Sequence, residues 1–298
     1  MLKKYRFVTG TKQKGYYYNP SGFCNNEKFY GVLRGEDKII NTLEELFTQQ
    51  CNPYIFNSER KFLTKVELIG FNTNERIEDF RVFEHDNKFF CSFVFIEKES
   101  WDKNRICKQG LGYLDFENKT LTKLKIYDSP FNKEQEKNWG FFSLRNELFF
   151  IYSVSPWLVY KINKDFSIGD VVSYDNLNYH SHPIINNNFI SISSLPINYS
   201  EKEMICFVHT KEKGVYYQTI LLFDKTSLEV TYLCPEVILF GKEEGNKKKK
   251  GILYISGLAI DNDTVVIYYG EADTSACMYK ISKEEFNKLI LNNGISKV

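Results

Sequence analysis

The 298 residues carry 39 basic and 38 acidic side chains, a net charge of +1, which gives no electrostatic case for nucleic acid or an anionic membrane surface. Hydrophobic content of 43% is ample for a core and excludes disorder. An aromatic share of 16%, with 25 Phe and 20 Tyr against 3 Met, favours strands over helices.

Taken from the N-terminus, the chain repeats one pattern. Five segments rich in aromatic and β-branched residues read as buried strands: Lys28–Arg34, Lys88–Val94, Glu147–Ser153, Asn188–Ser194 and Thr264–Gly270. Each follows a polar turn, and a partner strand precedes each turn: Ser21–Phe23, Arg81–Phe83, Gly140–Phe142, Pro183–Ile185 and Gly257–Ile260. Counted from Phe29, Phe89, Phe149, Phe189 and Val265, the steps are 60, 60, 40 and 76 residues. Further hairpins occupy Gly112–Ile126, Val159–Val172 and Leu221–Tyr232. Two hairpins per unit make a four-stranded blade, so the expectation is an all-β fold: a five-bladed β-propeller, one domain over residues 1–298.

Two helices are expected. Thr42–Glu45 has capping-box spacing, and Ser282–Glu285 repeats it ahead of a helix over about 282–293. Lys247–Lys250 reads as a solvated loop. No apolar run nears the roughly 18 residues of a membrane span, and Met1–Gly10 lacks the apolar stretch of a signal peptide. Seven scattered Cys without CxxC spacing suggest neither a zinc site nor a redox motif, and free thiols suit a cytoplasmic location.

In a propeller, equivalent positions of the blades converge on the axis. About ten residues before each aligned position stand Asn19, Glu78–Asp79 with Arg81, Lys137–Asn138–Trp139, His180 with His182, and Ser256. These are also the residue types of turns. A trio of Glu-Asp-x-Arg, Lys-Asn-Trp and His-x-His at matching register nonetheless reads as a polar site. The His180–His182 pair lacks a third metal ligand, so no metal is expected.

Ile77–Val82 resembles the Glu-Asp-Pro-Arg motif of glycoside hydrolase family 130, the β-mannoside phosphorylases and hydrolases, with Phe80 at the Pro position. Asn19–Ser21 followed by Tyr30–Arg34 is similar to the family's first blade, Glu136–Trp139 with Ile151–Ser153 and Pro156 to its third, and Ser256–Leu258 with Tyr269–Asp273 to its last. The resemblance spans about Asn19 to Asp273 and implies a five-bladed propeller acting on β-linked mannosides with inversion. It implies that Asp79 is the general acid and that Arg34 and Asp273 hold sugar hydroxyls. Asn19, Glu78, Arg81, Asn138 and Glu271 join the substrate-binding set, with Trp139 as a platform for a pyranose face.

The attacking group separates the subclasses. Phosphate needs cations, for which Lys137, His180 and His182 are the candidates beside Arg81 and Arg145; water needs a carboxylate base, Glu78 or Glu271. No organic cofactor is expected, and inorganic phosphate would be a co-substrate. The partner is a small molecule or oligosaccharide, not nucleic acid or membrane, with homo-oligomerisation left open. A glycosyltransferase using a nucleotide sugar or sugar phosphate, and a non-catalytic glycan- or protein-binding propeller, are the other readings.

Overall fold

The computed structural model describes residues 3–9, 16–25, 28–36, 51–57, 63–72, 75–97, 106–176, 190–212, 215–234, 239–240, 253–271, 273 and 275–291. They form five sheets. The first strand, β1 (Lys3–Thr9), belongs to the last blade. Blade one is β2 (Tyr16–Asn25), β3 (Lys28–Glu36), β4 (Cys51–Asn57) and β5 (Thr64–Lys65). Blade two adds an outermost strand, β6 (Glu67–Ile69), to β7 (Arg76–His85), β8 (Lys88–Ile96), β9 (Cys107–Asp115) and β10 (Thr120–Tyr127), with β6 parallel to β10. Blade three is β11 (Gly140–Leu144), β12 (Glu147–Val154), β13 (Trp157–Ile162) and β14 (Ile168–Asp175).

Blade four begins with β15 (Ile190–Ile192) and β16 (Ile197–Asn198), both paired to β17 (Glu203–Glu212), and continues through β18 (Val215–Asp224) to β19 (Val230–Leu233) and β20 (Leu239–Phe240). Blade five is β21 (Leu253–Asp261), β22 (Thr264–Glu271) and β23 (Ser275–Ser282), completed by β1 along the free edge of β23. Contacts between blades run from one to two, two to three, three to four, four to five, and from five back to one, which closes the ring. The five-bladed propeller expected from the repeats is the observed architecture.

Blade four corrects the sequence reading. Residues 190–192 form the innermost strand of that blade, not the second, and the second is β17. Second strands therefore open at Lys28, Lys88, Glu147, Glu203 and Thr264, with steps of 60, 59, 56 and 61 residues. The uneven steps came from aligning Phe189 with the wrong strand.

The aromatic composition follows from the architecture. Side chains alternate along a strand, so each face of a blade feeds a different interblade seam. Phe149 packs against blade four, whereas its neighbour Phe150 packs against Trp139, Phe141 and blade two. Five large hydrophobic clusters fill the five seams. Flat rings suit the wedge between twisted sheets, and each fully buried Phe contributes about 2–3 kcal/mol. With both faces buried, strands such as β12 and β22 show no polar alternation.

The C-terminal helix, α1 (Lys283–Leu291), lies where the capping box placed it. Ser282 Oγ accepts from Glu285 N at 3.1 Å. Phe286 and Ile290 seal the seam between blades four and five from outside. The expected helix near Thr42 and the Lys247–Lys250 loop lie outside the described residues. All seven Cys are free thiols. Among the described residues, no helix is long and apolar enough to cross a membrane.

Candidate active site

The inner strands of the first two blades are interrupted at the same place. In β2 the ladder jumps from Tyr18 to Ser21, so Asn19 and Pro20 together oppose Leu33; in β7 it jumps from Glu78 to Arg81, so Asp79 and Phe80 oppose Phe93. Two residues opposite one is a β-bulge, which re-aims side chains. Asn19 and Asp79 have φ of 49° and 56°, and Asn138, just before β11, has 64°. Asn and Asp tolerate this left-handed region better than other non-glycine residues. The backbone thus selects the residue types that the site uses.

These bulges bring together side chains about 60 residues apart. Asn19 Nδ2 donates to Asp79 Oδ1 at 3.1 Å and Arg34 Nη1 donates to the same oxygen at 3.3 Å. Both contacts fall on Oδ1, and the Asp79 side chain keeps 21% exposure. Arg34 Nη2 lies 3.0 Å from Glu36 Oε1 and 3.1 Å from Glu78 Oε2, and Arg76 Nη2 is 3.4 Å from Glu78 Oε2. Tyr18 donates to Glu36 through its hydroxyl, and its ring lies under the Arg34 guanidinium, 4.9 Å away. Burial disfavours the Arg34 charge, yet Cys51, Glu78, Tyr18 and Asp79 outweigh it and raise its pKa well above the usual value. Burial raises the Tyr18 pKa, so its phenol stays a neutral donor.

A second cluster adjoins the first. Arg81 Nη2 donates to Asn138 Oδ1 at 2.8 Å and also to the Tyr254 hydroxyl, which itself donates to Asn138 Oδ1 at 3.0 Å. Tyr254 and Tyr216 pack edge-on, with ring centroids 5.7 Å apart, and His209 fits against both. Lys137 is exposed and bears electrostatically on His209 and Tyr216. Asp273 occupies a half-buried turn position with φ 50° and acts on Tyr18 and Tyr216.

Of the residues expected at the site, Asn19, Arg34, Glu78, Asp79, Arg81 and Asn138 converge, with Lys137 and Asp273 beside them. Glu78 is buried between two guanidiniums rather than open to the funnel. Glu271 is also buried, its Oε2 3.9 Å from Cys277 Sγ. Trp139 is a correction. It is fully buried, stacked on Phe150 with centroids 4.5 Å apart, and its Nε1 donates to Glu136 Oε2 at 3.0 Å. It is a seam residue with no face for a sugar. Arg145 sits on the β11–β12 turn, where it donates to Thr226 Oγ1 at 3.2 Å, away from the inner-strand starts.

His180 and His182 lie outside the described residues. The register that aligned them with the site is the one corrected in blade four. At the corrected register, the residue six after each second-strand start is Arg34 in blade one and His209 in blade four. That equivalence is a sequence signal pointing to His209, although the same position holds Val94, Ser153 and Gly270 in blades two, three and five. Tyr18, Glu36 and Arg76 were also missed, although Arg34 with Glu36 and Arg76 with Glu78 share strand faces by alternation. Among the described residues, no group of three or more His, Cys, Asp or Glu is placed to hold a metal ion.

No family model and no curated protein sequence matches the chain. Solved structures do. The β-1,2-mannobiose phosphorylase of Listeria innocua, bound to β-1,2-mannobiose, is 16% identical with a TM-score of 0.70 over 97% of this chain and 99% of that one. A mannose phosphorylase from Leishmania mexicana, in complex with phosphate ion, is 14% identical with a TM-score of 0.62 over 99% and 94%. A structure described under glycoside hydrolase family 130 mannoside phosphorylases, with hydrolases that target β-1,2-mannosidic linkages in Candida mannan, is 14% identical with a TM-score of 0.67 over 94% and 92%. At these identities the likeness establishes the fold.

Proposed function

We propose that the chain is a carbohydrate-active enzyme that cleaves or forms a β-linked, mannoside-like hexoside with inversion, with Asp79 as proton donor. The observation that carries this reading is the partly exposed Asp79 carboxyl on a bulge, gripped through Oδ1 by Asn19 and Arg34. Because both neighbours donate to Oδ1, the transferable proton belongs on Oδ2, directly against the glycosidic oxygen or through a sugar hydroxyl. Asp273 suits two-pronged contact with vicinal hydroxyls, and Arg34, its Nη2 held by Glu36 and Glu78, has Nη1 beside Asp79 for a single hydroxyl. The mannoside-active proteins of the same fold support the substrate class.

Phosphorolysis is favoured over hydrolysis. A general base must reach a water on the face opposite the acid, yet Glu78 and Glu271 are both buried in other contacts. Lys137 is exposed, and the buried Arg81, held by Asn138 and Tyr254, adds positive charge to the same site, which suits an incoming phosphate. In that direction a phosphate oxygen forms the bond to C1 as the glycosidic C–O bond breaks, the Asp79 proton passes to the leaving oxygen, and the β-linkage yields an α-sugar 1-phosphate. Seven free thiols suit a reducing cytoplasm as its setting.

The test is incubation with β-1,2-mannobiose, with and without inorganic phosphate, followed by NMR of the products. The reading expects phosphate-dependent α-mannose 1-phosphate and a 10²–10⁴-fold loss in Asp79→Asn, roughly the usual worth of general acid catalysis. Full turnover in Asp79→Asn would overturn the assignment. Binding of a nucleotide sugar without response to phosphate would instead indicate a glycosyltransferase, and binding of glycan without turnover of any donor a lectin-like propeller.

A further inference from the structure

His209 lies at the centre of a hydrogen-bond chain whose directions can be deduced one link at a time. Gln218 Nε2 donates to Leu253 O at 3.2 Å, which fixes the amide with Oε1 as the remaining group. That oxygen only accepts, so the Ser193 hydroxyl, 2.8 Å away, must donate to it. A serine has a single proton to give. Ser193 Oγ is also 2.7 Å from His209 Nδ1, and with its proton already committed it must accept there. The proton of that contact therefore sits on Nδ1.

All three residues are buried, Ser193 and Gln218 completely. The chain also spans three strands. Ser193 follows β15 in the stretch opposite Phe207, Gln218 faces His209 across the β17–β18 ladder, and Leu253 opens β21 of the next blade. Burial, and then the positive charges of Arg81, Lys137 and Lys211, lower the His209 pKa to about 3, so the ring is neutral at physiological pH. A neutral imidazole protonated on Nδ1 carries a free lone pair on Nε2. Among the described residues, no hydrogen bond reaches Nε2. The ring packs against Tyr254, the phenol that Arg81 and Asn138 hold in the site.

We propose that Gln218 and Ser193 are positioning residues that lock His209 as its Nδ1–H tautomer, and that Nε2 thereby accepts a hydrogen bond from a hydroxyl of the bound ligand. The hydroxyl half of the inference rests on the carbohydrate reading; the tautomer half stands on the protein alone. The consequence is selectivity. Arg81 and Lys137 supply positive charge, whereas His209 Nε2 supplies a directional acceptor beside them, favouring a ligand that brings an O–H over one that brings only acceptors.

Long-range ¹H–¹⁵N NMR of the uniformly labelled protein at pH 7 separates the tautomers, with His209 assigned among the four His by its loss in His209→Gln. The expectation is a pyridine-type Nε2 and a pyrrole-type Nδ1. In Gln218→Met, Ser193 loses its acceptor and its proton turns to Nδ1, so the two signals exchange character. Ser193→Thr keeps the hydroxyl and keeps the wild-type pattern. A pyrrole-type Nε2 in the wild type, or an unchanged pattern in folded Gln218→Met, overturns the lock. Mannose titrated to saturation is expected to move Nε2 upfield. Amide shifts with Nε2 unmoved would overturn the hydroxyl contact, and no shift anywhere would count against the carbohydrate reading while leaving the tautomer result intact.

Discussion

Replacing Trp139 with Phe distinguishes a seam residue from a sugar platform. Trp139 is fully buried, with its indole stacked on Phe150 and its Nε1 donating to Glu136. Phe keeps one ring but leaves a void where the rest of the indole was, a large-to-small change worth about 1–2 kcal/mol. It also removes one of the hydrogen bonds to a buried carboxylate that Tyr152 and Ser129 hold as well. A hydrogen bond to a charged group contributes about 1.5–3 kcal/mol. The two losses share one side chain and give a destabilisation of about 3–5 kcal/mol. Urea unfolding at pH 7 should move the midpoint down by roughly 1–2 M with the slope unchanged. KM of the surviving folded protein should stay within about twofold, since a fully buried ring makes no contact with substrate. An unchanged urea midpoint together with a tenfold rise in KM would refute the seam assignment and restore the platform.

Two further outcomes follow from single contacts. A Cβ on Gly270 would lie 2.2 Å from Asn19 Oδ1 and 3.0 Å from the Asn19 backbone nitrogen, so Gly270→Ala should lower stability by about 1–3 kcal/mol. Displacing Asn19 should also reduce turnover at least tenfold; wild-type melting and turnover together would contradict the close packing. His209 predicts a pH dependence. Its folded pKa of about 3 lies below the unfolded value near 6.5, so between those values the unfolded chain binds a proton that the native state does not. Stability from this group is full above about pH 6.5 and falls as pH drops, by about 3 kcal/mol at pH 4. Denaturant titrations of wild type and His209→Gln should diverge by that amount between pH 7 and 4, and parallel curves would count against a neutral buried ring.

Much of this architecture is legible in the sequence because its signals are local. Blades one, two, three and five each announce themselves by a turn between two apolar runs, and Asn19, Asp79 and Asn138 recur at steps of 60 and 59 residues because the same left-handed backbone position recurs. Blade four hides. Its innermost strand has three residues, broken by Ser193–Ser194 and Leu195–Pro196, and the run from Phe189 to Leu195 has the composition of either strand of a hairpin. Choosing the wrong one moved the register and concealed His209. Trp139 illustrates a different limit. A tryptophan beside polar site residues has the same sequence appearance whether it faces the funnel or the seam, and only the shared cluster with Phe141, two residues on, decides between them. The pairing of β1 with β23 leaves no local trace, since the two lie at opposite ends of the chain.

That pairing sets the order of events in synthesis. Lys3 lies beside Lys280 and Thr9 beside Ser275, so β1 has no partner until every blade between it and β23 has been synthesised. At ordinary elongation rates the wait is on the order of tens of seconds. During it β1 is an open edge, able to pair with another nascent chain. The ring cannot be closed blade by blade, and its last step is a contact of near-maximal sequence separation, the kind that slows folding most. A protein released short of β23 would hold four blades and an unsatisfied first strand, poised for exchange with a second copy.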